Sequence, residues 1–381
     1  MKMHKSKKDN DLYFYFNSKG EKMWCYRYRY YDALGKRREK SKQGYTSEKD
    51  AYRALLEVKA SILNGEVKQV ENSNLTVSEW LDIWYETHEN DWEITTRIQR
   101  EDAIKNQIKP LLGKYKLAEL EKTTYKRVYI NELLKKYEPS SVRLLHSIFK
   151  VAVNAAVDSE IIPRNRFNKI TISGDKKSKN FYTPEELIAF LTAAKDIDNI
   201  TNYTTILLLA YTGLRKGEAL GLMWKNVDLN KKTITVERTR DSIGVRSPKT
   251  KRSYRTIPIA GLLVNQLQIY RAWCKQTMLS FGKHLSDEDY VFITYRSGAP
   301  MSDNTLKYSF DRISKKAGLK SITPHGLRHT HATVLIGQRT PVKVIAERLG
   351  NTPQMILDVY GHSFKELEEE AVIAFSKALN S

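Results

Sequence analysis

The sequence predicts a multidomain α+β protein: a small N-terminal β-sheet plus one helix, an all-α middle domain, and a mostly α C-terminal domain carrying a small antiparallel sheet. Three observations predict it. At 381 residues and 44.1 kDa the chain exceeds one ordinary domain. Its apolar spacing changes from period two at residues 24–30 to helical spacing from Thr76 to Asn168, and to a mixture of both beyond. Two polar stretches, 67–75 and 171–179, fall between these patterns. The expected domains are therefore 1–66, 75–170 and 180–381.

In chain order, Trp24-Cys25-Tyr26-Arg27-Tyr28-Arg29-Tyr30 comes first. As a strand it puts Trp24, Tyr26, Tyr28 and Tyr30 on one face and Arg27 and Arg29 on the other. A turn at Ala33-Leu34-Gly35 leads to a second basic segment, Lys36 to Lys42, and Ser47 then caps a helix that stops at Asn64-Gly65. Residues 67–75 show little periodicity and read as a linker. Trp80, Leu81, Ile83 and Trp84 begin a series of four or five helices, which closes with Val142, Leu145, Ile148 and Val151. Beyond a polar hinge, Thr183-Pro184-Glu185-Glu186 reads as a helix start with its cap, N-terminal proline and capping-box glutamate. Lys232–Glu237 and Ser253–Ile259 read as antiparallel strands around a basic turn, and Tyr290–Tyr295 as a further short strand. No internal repeat or low-complexity tract interrupts the pattern.

Hydrophobic residues at 41% exclude global disorder. Lys+Arg 64 against Asp+Glu 44 leaves a net charge of +20 and a pI near 9.6, which draws the chain to polyanions. Nucleic acid is the commonest polyanion; a basic ribosomal or membrane-surface protein is the other reading of charge alone. The first 70 residues hold 17 Lys+Arg and 9 Asp+Glu, a disproportionate share of the surplus. On the small sheet, Arg27, Arg29, Arg37, Arg38 and Lys40 form either a solvated outer face or a nucleic-acid contact. Cys25 and Cys274 are the only cysteines, so no disulfide framework or zinc knuckle can be built from them. The N-terminus lacks the apolar core of a signal peptide, and the apolar stretch around Ile206–Tyr211 is too short to span a membrane. A soluble protein of a reducing compartment is expected.

Four segments bear on chemistry. In Thr212-Gly213-Leu214-Arg215-Lys216-Gly217-Glu218 a helix stops at Gly213 and another begins, which puts Arg215 near a helix N-terminus with Glu218 one turn later to hold it. Lys249 sits in the basic turn, where a lysine is ordinarily just exposed. In Pro324-His325-Gly326-Leu327-Arg328-His329-Thr330-His331, proline fixes a helix start and His325 and Arg328 share a face. Three of the eight histidines cluster there, yet no carboxylate stands at ligand spacing and the pattern is not H-E-x-x-H, so no metal is expected. The fourth segment runs from Leu349-Gly350-Asn351 to Tyr360-Gly361-His362; alone, its tyrosine would be a packing residue.

Together these residues resemble the tyrosine recombinase (phage integrase) family, relatives of type IB topoisomerases. The resemblance rests on T-G-L-R-x-G-E at 212–218, a lysine between strands, H-x-x-R at 325–328, and L-G followed by a tyrosine at 349–360. It implies a catalytic set of Arg215, Lys249, His325, Arg328, Asn351 and the nucleophile Tyr360, supported by Glu218, with neither cofactor nor metal. Arg215 and Arg328 would clamp the phosphate and Lys249 would protonate the leaving 5′-oxygen. The family usually has histidine or tryptophan at Asn351, whose amide can donate a hydrogen bond but cannot carry a proton. His362 is an alternative substitute, and a helix cap is an alternative role for Asn351. The resemblance further implies a helical core-DNA-binding domain and an N-terminal arm-site-binding domain, as in integrases of prophages and integrative conjugative elements. The implied reaction integrates and excises a mobile element through a 3′-phosphotyrosine and a Holliday junction. Its implied setting is a homotetramer on double-stranded DNA at core and arm sites, with a directionality factor and a host DNA-bending protein as partners, in the bacterial cytoplasm at the nucleoid. A C-terminal helix with Leu367, Val372, Phe375 and Leu379 as apolar positions would dock on its own or a neighbouring protomer. A topoisomerase-like enzyme and a catalytically weak DNA-binding regulator are the rival readings.

Overall fold

Alternating side chains build the first sheet of the Met1–Lys176 unit, one of two into which the chain divides; the other is Lys177–Ser381. The structure, a computed structural model, describes residues 2–32, 35–174, 180–248, 250–365 and 376, with backbone alone described at 251 and 360–365. Strands β1 (His4–Lys5), β2 (Leu12–Phe16), β3 (Lys22–Tyr31) and β4 (Arg37–Tyr45) pair antiparallel in that order. Tyr26 and Tyr30 are buried and Arg27 and Arg29 exposed, as period two requires. A bulge between Trp24 and Cys25 lets Cys25 be buried as well. Helix α1 (Glu48–Leu63) is capped by the Ser47 hydroxyl, which accepts from the Asp50 N–H, and it packs Ala51 and Leu55 onto Leu12 and Tyr26. Ala33 and Leu34 of the expected turn lie outside the described residues.

The stretch read as a linker is corrected: it carries a short helix, α2 (Val67–Glu71), with Val70 buried. One apolar pair at i, i+3 is too short a signal for a periodicity reading. Helix α3 (Val77–His88) starts in a capping box between Thr76 and Glu79. Helix α4 (Ile94–Ala103) continues through a wide, π-type turn into α5 (Lys109–Leu112). In the same way α6 (Lys122–Tyr125) continues into α7 (Asn131–Leu134), and α8 (Pro139–Asp158) closes the domain. Trp80, Trp84, Tyr125, Tyr129, Phe149 and Phe167 lie in its core, where the Trp80 indole N–H donates to the Ala152 carbonyl at 2.8 Å.

In the second unit, α9 (Pro184–Ile197) begins in the capping box that Thr183 and Glu186 predict. Helix α10 (Ile200–Thr212) is buried on nearly every side and packs against much of the unit, and α11 (Lys216–Leu220) follows it. The antiparallel strands expected around the basic segment are present. Strands β5 (Val227–Asp228) and β6 (Thr233–Val236) form one sheet with β9 (Arg255–Pro258), in the order β5-β6-β9. Between β6 and β9 a further hairpin, β7 (Thr239–Asp241) and β8 (Gly244–Arg246), replaces the single turn that was expected. Tyr290–Tyr295 is likewise corrected from strand to loop. It makes only isolated bridges, Met223 with Tyr290 and Ile293 with Pro300, while Val291, Phe292 and Ile293 fill the core. Helices α12 (Gly261–Ser280), α13 (Thr305–Lys316), α14 (Pro324–Gly337), α15 (Val342–Leu349) and α16 (Pro353–Lys365) complete the unit. Of the acidic tail expected to form a further helix, from Phe364 to Leu379, Phe364 and Lys365 end α16 and Ser376 is helical; the rest lies outside the described residues. Among the described residues no helix is long and apolar enough to cross a membrane.

Candidate active site

Two left-handed turns bring the candidate residues together. Gly213 ends α10 at φ +65°, and a Cβ there would meet Leu349 Cδ2 at 2.5 Å, so glycine serves both the turn and the close approach. The chain then places Arg215 at the cap of α11, but its backbone N–H is not free for an anion: it donates to Glu218 Oε2 at 3.0 Å. Arg215 Nη1 donates to Glu218 Oε1 at 2.8 Å, so Glu218 holds Arg215 by backbone and side chain together. Glu218 is itself buried, and Arg255 pairs with it at 2.9 Å. Burial alone would raise the Glu218 pKa, but the Arg255 and Arg215 cations and the Arg215 N–H hold it below the ordinary value. Breaking such a buried pair by removing one partner costs about 3–5 kcal/mol.

The second turn is Gly350, also at φ +65°, which closes α15 while the Asn351 N–H donates back to the Ala346 carbonyl at 2.9 Å. Arg215 Nη2 donates to Asn351 Oδ1 at 2.8 Å across 136 residues of sequence. Because a guanidinium only donates, the amide oxygen must face Arg215, and the amide Nδ2 is the group left to donate elsewhere. The cap of α16 is Thr352: its hydroxyl accepts from the Met355 N–H at 3.1 Å, so the capping role weighed for Asn351 falls to its neighbour. Arg215, Asn351, Thr239, Pro248, Thr250 and Thr352 help to line a cleft of about 670 Å³. Lys249 itself lies outside the described residues, although Pro248 and Thr250 on either side of it reach the cleft. Tyr360 is on α16, seven residues from its first residue; its side chain and that of His362 lie outside the described residues.

Helix α14 supplies the remaining pair. Pro324 opens it, as the sequence predicts, and the structure adds Thr323 as its cap, so His325 and Arg328 fall in its first turns. Arg328 is only 3% exposed and donates to the Gly213 carbonyl at 2.8 Å and the Leu349 carbonyl at 2.7 Å, tying both turns to α14. Of the two, Arg215, with a side chain 37% exposed, is the one that lines the cleft. His325 packs edge-on against His329 at 4.7 Å. Burial first, then His329 and the cations of Arg328 and Arg215, push its pKa down to about 4. At neutral pH it is therefore an uncharged base.

Sequence reasoning missed two residues, Arg255 and Arg348, and gave His331 no role of its own. Arg255 sits on β9 opposite Val236, two positions before the buried Ile257. Its signal was a charged residue on the apolar face of a strand, hidden in a run of basic residues. Arg348 stands in the last turn of α15, an ordinary place for a cation. It donates through Nε to His331 Nε2 at 3.0 Å, through Nη1 to the Pro258 carbonyl and through Nη2 to the Tyr211 carbonyl. His331 therefore carries its proton on Nδ1 and bonds the Ala210 carbonyl at 2.9 Å, which commits both ring nitrogens to protein partners.

The His331 pKa is also pushed down to about 4, by burial and then by Arg348. Since both histidines ordinarily titrate near 6.5, the unfolded chain binds protons between pH 6.5 and 4 that the folded chain does not. Stability is fully present above pH 6.5 and falls as the pH drops toward 4. Denaturant midpoints measured across this window are expected to show that slope, and His331→Gln, which keeps one donor and one acceptor, to flatten it. An unchanged slope in the variant would contradict the buried neutral imidazole.

On the N-terminal sheet the five basic residues expected as one surface are divided, a correction that follows from register. Arg29 faces Glu39 and Tyr31 faces Arg37, whereas Tyr30 faces Arg38 and Tyr28 faces Lys40. Arg27, Arg29 and Arg37 are therefore on one face, with Glu39 within 3.9 Å of Arg27 and 3.1 Å of Arg29. Arg38 and Lys40 share the tyrosine face. Arg38 pairs with Asp32 at 2.9 Å, and Lys40 Nζ donates to the Val70 carbonyl and to Ser73 Oγ. Burial lowers the Lys40 pKa, with Lys116 adding to the effect.

Comparison with known proteins adds three matches along the chain. The phage integrase family matches residues 180–366, the SAM-like N-terminal domain of phage integrases 76–134, and an arm DNA-binding domain 13–62. The chain is 30% identical over 270 residues to a tyrosine recombinase XerC-like protein of Caldanaerobacter subterraneus subsp. tengcongensis, covering 64% of this chain and 68% of that one. It is 28% identical over 331 residues to the integrase of Staphylococcus phage L54a, covering 79% and 92% respectively. The fold is similar to that of the Tn1549 transposon integrase solved with transposon right end DNA: TM-score 0.67, 23% identity, 78% of this chain and 100% of that one.

Proposed function

As a member of the phage integrase family of tyrosine recombinases, the chain is a tyrosine-type site-specific recombinase, and we propose that it integrates and excises a mobile element at paired DNA sites. The observation that supports the residue assignment is the meeting of the Arg215–Glu218 pair with Asn351, 136 residues away, at one cleft. A phosphodiester there would meet the Arg215 guanidinium and the Asn351 amide, donors oriented before the substrate arrives. Arg328 adds fixed positive charge from beneath and holds the two turns that present them.

In the proposed step the Tyr360 hydroxyl oxygen attacks phosphorus, the bond from phosphorus to the 5′-oxygen breaks, and a 3′-phosphotyrosine forms. The tyrosine proton passes to neutral His325, and Lys249 protonates the departing 5′-oxygen. Attack by a 5′-hydroxyl from the partner site reverses the step, so the exchange needs neither ATP nor metal. Four protomers exchanging strands in pairs through a Holliday junction satisfy this chemistry. Residues 1–66 would bind arm sites through the Arg27, Arg29 and Arg37 face, and 75–170 the crossover core. Acting on DNA, it would work at the bacterial nucleoid.

The test is a nicked duplex bearing the element's own crossover sequence, incubated with the full chain in EDTA. A covalent protein–DNA adduct is expected, with recombinant product only when a partner site is added. Relaxation of supercoils without joining of sites would favour a topoisomerase, and absence of any adduct a DNA-binding regulator.

A further inference from the structure

Three consecutive carbonyls at the end of α15 each accept from a different arginine. The Arg348 carbonyl accepts from Arg255 Nε at 2.8 Å, Leu349 from Arg328 Nη2 at 2.7 Å, and Gly350 from Arg215 Nη2 at 3.5 Å. The last carbonyls of a helix have no partner within it and carry the negative end of its dipole, so cations gather there. Arg255, like Arg215, also reaches Glu218, and it alone of the three reaches the Ser253 carbonyl as well. Nη2 donates to Glu218 Oε2 at 2.9 Å, and Nη1 to Glu218 Oε1 at 3.3 Å and to the Ser253 carbonyl at 3.0 Å. One side chain, 7% exposed, thus joins the turn that presents Asn351, the carboxylate that orients Arg215, and the short turn that follows Lys249.

We infer that Arg255 is a positioning residue for strand cleavage, fixing the spacing of Arg215 and Asn351 through Glu218 and the Arg348 carbonyl. The inference rests on the recombinase reading of that cleft. A second observation supports it. A Cβ at Gly350 would come within 2.9 Å of Arg255 Nη1, so the glycine that ends α15 also makes room for this guanidinium. Arg255 lies behind Glu218 and reaches the phosphate site only through the residues it holds. Displacements of about 1 Å in such an arrangement cost roughly 10²-fold in rate.

Single-turnover cleavage of the nicked duplex tests this. Arg255→Gln is expected to cleave roughly 10²-fold more slowly with DNA affinity unchanged, and to add little further loss in a Glu218→Gln background, because both act on Arg215. Arg255→Lys keeps the charge beside Glu218 but cannot span to the Arg348 carbonyl; it is expected to melt near wild type and still cleave slowly. A purely structural residue would reverse that pattern, with cleavage restored along with stability. Wild-type cleavage by Arg255→Gln or Arg255→Lys, or losses that multiply fully with Glu218→Gln, would overturn the inference. Crystal structures of the wild type and Arg255→Lys give a readout independent of activity. Displacement of Arg215 from Asn351 Oδ1 in the variant supports the inference, and retention of that bond overturns it. Absence of an adduct from the wild type would count against the recombinase reading alone.

Discussion

Tyr360→Phe is expected to abolish strand cleavage while leaving DNA affinity at the wild-type level. The substitution removes one oxygen and keeps the ring, so α16 retains its apolar and helix-forming character. Affinity for DNA comes mainly from the basic surface, and that is untouched. The chemical step, by contrast, would lose the atom proposed to form the new bond to phosphorus. Removing the nucleophile from a preorganised site typically costs about 10⁶-fold, with arginines and amide unable to compensate because they stabilise a reaction that no longer starts. The measurement pairs a gel-shift titration with covalent trapping on the nicked duplex. Adduct formation by the variant would overturn the assignment of Tyr360. Loss of binding together with cleavage would mean that the side chain helps hold α16 in place.

How much of this site could be read from the sequence depends on whether a residue's role is local. Ser47 and Thr183 were legible as caps of the helices that follow them, because a cap and its N–H partner lie within three residues. The alternation at 24–30 gave the strand and its faces for the same reason. The pairing of Arg215 with Glu218 is also local, one turn of chain. Arg255 escaped notice because its partners Glu218 and Arg348 lie 37 and 93 residues away, and its local signal, a charge on the apolar face of β9, is hidden by the basic residues before it. Lys40 was misplaced because period two assigns faces within one strand, whereas its own face depends on the register of β4 against β3. Val291, Phe292 and Ile293 read as a strand because apolar runs look alike whether they pair in a ladder or simply plug a core.

Asn351 is where the sequence departs from its family, and the geometry makes its role decidable. Its amide has two ends, and Arg215 takes the oxygen at 2.8 Å, which leaves the N–H pair as the end suited to a non-bridging phosphate oxygen. Asn351→Ala removes that donor and also releases Arg215 from one of its two side-chain partners. Cleavage is expected to slow by about 10²–10³-fold, the cost of one lost transition-state donor, with DNA affinity little changed. Asn351→His should be tolerated or faster, because a neutral imidazole likewise offers one acceptor for Arg215 and one N–H for the phosphate. Asn351→Asp is the discriminating change. A carboxylate still accepts from Arg215 but has no donor to offer, and it sets a negative charge beside an anionic phosphate, so cleavage should fall below that of Asn351→Ala. Since Thr352 caps α16, none of these losses can be assigned to a missing cap. If His362 fills the role instead, His362→Ala will cost the activity and Asn351→Asp will cleave like the wild type, which would remove Asn351 from the reaction altogether.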